Sequence, residues 1–109
     1  MNRDQILAAL QPTFQQAEAA GGALRVQVKD LTVREREAWR AASAAEDGAL
    51  KSDWLLQLLA LAVHDEAGQR VWPTAGEVDG PDGVISELAQ QVLRINGLAG
   101  DSQKDAQGN

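Results

Sequence analysis

The chain contains no cysteine. Disulfides, thiolate nucleophiles and cysteine-ligated metal sites are excluded together, and a reducing compartment is compatible with what is left. Histidine occurs once, and there is one phenylalanine and no tyrosine. Cations are scarce: 10 Lys and Arg stand against 16 Asp and Glu, a net charge of -6. That balance opposes a polyphosphate backbone, because affinity for nucleic acid comes largely from cations that release counterions, so no nucleic-acid partner is expected. Long apolar runs are missing too. The longest, Trp54 to Val63, is interrupted only by Gln57 and bracketed by Asp53 and His64-Asp65-Glu66, well short of the roughly 18 residues of a membrane span. The opening Met1-Asn2-Arg3-Asp4 leads into only a short apolar segment broken at Gln11-Pro12, so a secretory signal is not expected either.

What the chain does have is that central run. A helix over residues 52–64 would be apolar on nearly every face and needs covering by several neighbours. Ser52 is its natural N-cap. With 109 residues, a single domain can bury about 60 to 70 % of its unfolded surface, enough for one core without staples. The expected domain spans residues 1–99, followed by a disordered tail over 100–109 that has almost nothing to bury.

Before the run, Ile6, Leu7, Leu10, Phe14 and Ala17 recur at helical spacing, predicting a helix over 3–20 that kinks or restarts at Pro12 and stops at Gly21-Gly22. Leu24, Val26 and Val28 alternate with Arg25, Gln27 and Lys29, the pattern of a half-buried strand over 23–29. Its hydrogen-bonding edge needs a partner, either the short segment 70–72 or another copy of the chain. Thr32-Val33-Arg34-Glu35 has the form of a capping box and opens a helix over 33–45, with Val33, the stem of Arg36, Trp39, Ala42 and Ser43 turned inward. Asp65-Glu66-Ala67-Gly68 reads as a turn into a short strand at Arg70-Val71-Trp72 closed by Pro73. Asp82 can cap a last helix over 83–96, with Val84, Ile85, Leu88, Val92 and Ile95 on one stripe and Asn96-Gly97 as its stop. The fold class is therefore mainly α (α+β): about four helices around a central apolar helix, with one or two short β-strands.

No residues are nominated as catalytic, metal-binding or cofactor-binding. His64 beside Asp65 and Glu66 lacks the three or four convergent ligands of a metal site and reads as a helix C-terminal residue favoured by the dipole. Glu77, Asp79, Asp82 and Glu87 fit no calcium-loop spacing. The serines lie in no nucleophile-elbow context, and there is no glycine-rich phosphate loop with a lysine. Trp39 and Trp54 suit the core. Leu24, Val26, Val28 and Trp72, on an exposed strand edge and a short edge segment, are the candidate protein-binding residues, for self-association or for holding a partner.

The order of features resembles a known family. Val26-Gln27-Val28-Lys29-Asp30-Leu31-Thr32-Val33-Arg34-Glu35-Arg36-Glu37 leads from strand to capped helix. The apolar helix then ends in Val63-His64-Asp65-Glu66-Ala67-Gly68-Gln69-Arg70-Val71-Trp72, and the last helix closes with Val92-Leu93-Arg94-Ile95-Asn96-Gly97-Leu98. Over about Leu24 to Leu98 the chain is similar to the tail assembly chaperones of long-tailed bacteriophages and prophages. The first twenty residues carry no family signal, and Thr74 to Gly83 is richer in glycine and proline than the family pattern.

The resemblance implies a non-enzymatic, mainly helical protein of the host cytoplasm. It would bind the long tape-measure protein, keep it soluble, help recruit tail-tube subunits and be absent from the mature virion. It also implies that a longer frameshifted form can arise beyond Gly100. Two other readings stand beside it. One is a small acidic regulatory or adaptor domain, antitoxin-like or a transcription regulator, which the interleaving of Arg34, Arg36 and Arg40 with Glu35 and Glu37 disfavours. The other is a structural tail or head-completion protein.

Overall fold

The strand expected from the alternation at Leu24 to Lys29 lies at the centre of a three-stranded antiparallel sheet, in the order β1 (Phe14–Ala19), β2 (Leu24–Lys29), β3 (Val63–His64). The computed structural model describes residues 1–98, so the tail expected over 100–109 lies outside the described residues. Four helices complete the mixed α+β domain: α1 (Arg3–Ala9), α2 (Val33–Ser43), α3 (Trp54–Ala62) and α4 (Asp82–Ile95). Single 3-10 turns lie at Ala20–Gly22 and Ala75–Glu77.

The first helix is shorter than its apolar spacing predicts. It begins in a capping box made by Asn2 and Gln5 and ends at Ala9. Residues 14–19, expected to be helical, form β1 instead. Proline at position 12 cannot continue the ladder of α1, and beyond it Gln16 and Glu18 alternate outward against buried Ala17 and Ala19. Alanine has little strand preference of its own, so the pairing with β2 decides the conformation. The reversal between the strands places Ala20, Gly21 and Gly22 at φ 55°, 67° and 93°, and the two glycines take this left-handed backbone at little cost.

Strand β2 is paired along its whole length by β1 on one side and, at Gln27 and Val28 only, by β3 on the other. Its partners are neither the segment 70–72 nor a second copy: Ala17 faces Val26 and Ala19 faces Leu24 on one side, and Val63 faces Val28 on the other. The predicted strand at 70–72 is reduced to a bridge between Arg70 and His64 and a hydrogen bond from the Val71 N–H to the Val63 carbonyl (3.1 Å).

The apolar run makes helix α3 over 54–62, not 52–64. Ser52 does not cap it. Asp53 occupies the N-cap position without a side-chain bond to the backbone amides. Val63, the last residue of the run, and His64 turn directly into β3, where β-branched Val63 is extended (φ -87°, ψ 123°) and pairs with Val28. His64 is thus a buried strand residue rather than a helix terminus. Helix α2, helix α4, strand β2 and the turn at Ala75–Glu77 all lie against α3. Leu58, Leu59, Val28, Val63, Leu88 and Val92 are the large apolar side chains with essentially no exposure. Burying each such side chain is worth about 1.5 to 3 kcal/mol.

Helix α2 starts with the expected Thr32/Glu35 capping box. Its inward face is narrower than predicted: Trp39 and Ser43 are buried, but Val33 and Ala42 are exposed. The Trp39 indole N–H donates to the Trp54 carbonyl (2.9 Å), tying α2 to the start of α3. Helix α4 begins one residue earlier than predicted, with Pro81 at the N-cap position and Asp82 in the first turn, and no side-chain cap forms.

Candidate partner-binding surface

The nominated contact residues do not form one surface. Val26 and Val28 are buried on the inner face of the sheet, while Leu24 and Trp72 are half-buried and pack on the core. Leu24 and Val26 reach a shallow cleft of about 470 Å³ with Arg25, Asp65, Glu66, Ala67 and Val71; Trp72 is not part of it. The reason is packing: α3 and α4 lie against β2 and cover the face that carries Val26 and Val28, and Leu24 at the strand's start stays half-buried.

The exposed apolar material lies elsewhere. Of the eight large apolar side chains left in water among the described residues, Met1, Ile6, Leu7, Leu10 and Phe14 all belong to the N-terminal segment. Ile6, Leu7 and Leu10 fall on one side of α1 by their spacing, and α1 contains no buried residue. Phe14 meets the ring of His64 edge-on (centroids 5.1 Å apart, planes at 81°). The His64 imidazole is anchored in turn through Nδ1 to the Ala62 carbonyl (3.0 Å).

The edge of β1 borders this apolar segment. The Asp30 N–H donates to the Thr13 carbonyl, so Thr13 faces β2. The Glu18 N–H donates to the Gln91 side-chain carbonyl and the Gln91 amide donates back to the Glu18 carbonyl (3.3 and 2.5 Å), so Glu18 faces away from β2. In an antiparallel ladder the sense alternates, and the backbone groups of Phe14 and Gln16 therefore point outward beside Glu18. Among the described residues they have no hydrogen-bond partner.

A second concavity of about 430 Å³ lies between α2, α3 and the segment 73–76. Its walls are mostly Ala38, Trp39, Ala42, Leu61 and Pro73, with Asp53, Gln57, Arg70 and Thr74 as its polar groups. Gln57 donates to one Asp53 oxygen (3.0 Å), whereas the other is buried without a partner. Arg70 is held through Nε by the Ala60 carbonyl (2.7 Å). Asp53 and Arg70 form no ion pair, and the polar groups do not converge on a common point for a nucleophile and base. Among the described residues no group of three or more His, Asp or Glu side chains could hold a metal ion, and no helix is long and apolar enough to cross a membrane.

Two polar clusters brace the frame behind the N-terminal surface. Lys29 binds Glu35 at 2.8 Å. Burial pushes the Glu35 carboxyl up, but the Lys29 ammonium, the Thr32 backbone N–H and the Thr32 hydroxyl outweigh it, leaving this carboxyl below the ordinary glutamate range. Asn96, expected only as a helix stop, is a buried hub. Its side-chain oxygen accepts from the Leu31 N–H (2.8 Å), and its amide donates to the carbonyls of Lys29 (3.2 Å) and Val92 (3.0 Å). Its backbone carbonyl accepts from Arg36. The one sequence signal for this role was an amide placed one residue past the apolar stripe of α4. Gln91 had no signal, since its clamp depends on a strand edge the spacing did not predict.

Compared with known protein families, curated proteins and solved structures, the chain matches none.

Proposed function

We propose that this chain is an assembly chaperone that holds a long, apolar, helical polypeptide, of the kind that accompanies tail formation in long-tailed bacteriophages. The observation that carries the reading is the gathering of Ile6, Leu7, Leu10 and Phe14 in water in one N-terminal segment, where the other exposed large apolar side chains among the described residues after it, Val33, Leu50 and Val71, are scattered singly along the chain. An apolar surface of this kind is the usual mark of a protein contact, and an amphipathic helix recognises its partner through residues spaced three and four apart. The net charge of -6 keeps a protein with such a surface soluble. The order of motifs from Leu24 to Leu98 supports the same assignment.

In this reading the client is a tape-measure protein, and tail-tube subunits are recruited around it in the host cytoplasm. The chaperone leaves before the virion is complete and catalyses no reaction. The contact surface moves from Leu24, Val26, Val28 and Trp72 to the N-terminal segment. Several copies along one client would multiply weak contacts by avidity.

Co-expression tests the proposal. A tape-measure fragment that is insoluble alone should become soluble with the wild-type chain and stay insoluble with Ile6→Asp/Leu10→Asp. Equal solubilisation by the two, or none by the wild type, removes the reading.

A further inference from the structure

We propose that a second copy of the chain pairs antiparallel along the free edge of β1, extending the sheet across a twofold axis at Gln15. The inference rests on the β1 edge alone and stands whether or not the chain holds a tape-measure protein. The open window is short and bounded at both ends. Pro12 has no N–H to offer on one side, and on the other the Glu18 backbone is occupied by Gln91. Between them the outward-facing groups belong to Phe14 and Gln16.

Two such windows are complementary to each other. Antiparallel pairing about Gln15 sets Phe14 against Gln16 of the second copy and Gln16 against its Phe14, which satisfies every outward N–H and C=O in the window and leaves both Gln91 clamps in place. Each Phe14 ring, 42 % exposed, then lies diagonal to the other on the outer face of the joined sheet, within the reach of aromatic cross-strand neighbours.

Charge selects this occupant. From Gln5 to Ala17 no residue is charged, the longest such stretch in a chain of net charge -6. Two copies repel wherever their acidic surfaces approach, and this segment is where they meet with least repulsion.

The absence of cysteine makes the test clean. At Gln15 the two strands form a non-hydrogen-bonded pair, with Cα atoms about 4.5 Å apart, inside the range that a disulfide bridges. Purified Gln15→Cys should oxidise to a covalent dimer at least about tenfold faster than Gln69→Cys, an exposed control off the edge. Light scattering across a concentration series should show the wild type doubling its mass. Gln16→Pro deletes an outward N–H that the β1–β2 ladder does not use, and should raise the dimer dissociation constant at least about tenfold while the far-UV spectrum and a cooperative melt show the monomer fold retained. If that variant fails to fold, the cysteine pair decides. A wild type that stays monomeric throughout overturns the proposal, including the case where the edge accepts a foreign strand instead. So does a dimer in which Gln15→Cys crosslinks no faster than Gln69→Cys.

Discussion

Replacing Asn96 by alanine should cost this small domain a large part of its stability. Asn96 is 3 % exposed, and its side chain bonds the Leu31 N–H and the Lys29 carbonyl, where β2 hands over to α2. Removing it leaves that donor and that acceptor without a partner. The Val92 carbonyl keeps the Asn96 backbone N–H (3.1 Å). A buried donor left unsatisfied costs about 1 to 3 kcal/mol, and a carbonyl somewhat less, so Asn96→Ala should lose roughly 2 to 4 kcal/mol. For a domain of this size that is a fall in Tm of roughly 10 to 25 °C. Asn96→Asp separates the two kinds of bond. Its carboxylate still accepts from Leu31 but faces the Lys29 and Val92 carbonyls, which favours the protonated form in the folded state. The deficit of that variant against wild type should therefore shrink as pH falls. Gln91→Ala removes two bonds at an exposed edge and should cost less than about 1 kcal/mol. Guanidinium melts of the three variants measure this, and an Asn96→Ala protein within about 0.5 kcal/mol of wild type would refute the hub.

Further outcomes follow from the core and from the capping box. Leu58, with no exposure, should cost about 2 to 5 kcal/mol as Leu58→Ala and should leave no cooperative melt as Leu58→Asp, since a buried unpaired charge costs several kcal/mol. Glu35→Gln preserves the capping box but breaks the contact with Lys29; the pair is partly exposed (16 % and 29 %), so the loss near neutral pH should be about 0.5 to 1 kcal/mol. Because the folded-state pKa of Glu35 is lowered, its contribution is present above the ordinary glutamate range and disappears as pH falls through the folded value. Melts of wild type and Glu35→Gln should converge at acid pH, and a gap that widened there would contradict the assignment.

The elements that were legible in the sequence are those whose signal is local. The alternation from Leu24 to Lys29, the reciprocal pair Thr32 and Glu35, the stripe Val84, Ile85, Leu88, Val92 and Ile95, and the apolar run around Leu58 each carry their period or their cap within a few residues. Strand β1 was not legible because Ala17 and Ala19 signal burial weakly, and Phe14 and Leu10 fit a helical spacing equally well. What makes it a strand is a partner five residues away across Gly21 and Gly22. The same long-range pairing took Val63 and His64 out of the helix that the apolar run predicted. The edge assigned to Leu24, Val26 and Val28 is narrowed, because β1 pairs along all of β2 on one side and β3 takes Gln27 and Val28 on the other, leaving only the Leu24 end without a strand there. The N-terminal surface was hidden by its own pattern: Ile6, Leu7 and Leu10 have the spacing of a buried face, and periodicity does not say whether anything covers it.

The central claim is that this uncovered N-terminal segment is what holds another polypeptide. Titration calorimetry of a soluble helical tape-measure fragment into the full chain, and into Ile6→Asp/Leu10→Asp, tests it most directly. Binding to the wild type should be saturable and weakened at least about a hundredfold in the variant, with both proteins melting at the same temperature because neither side chain is buried. Equal affinity for the two proteins would contradict it.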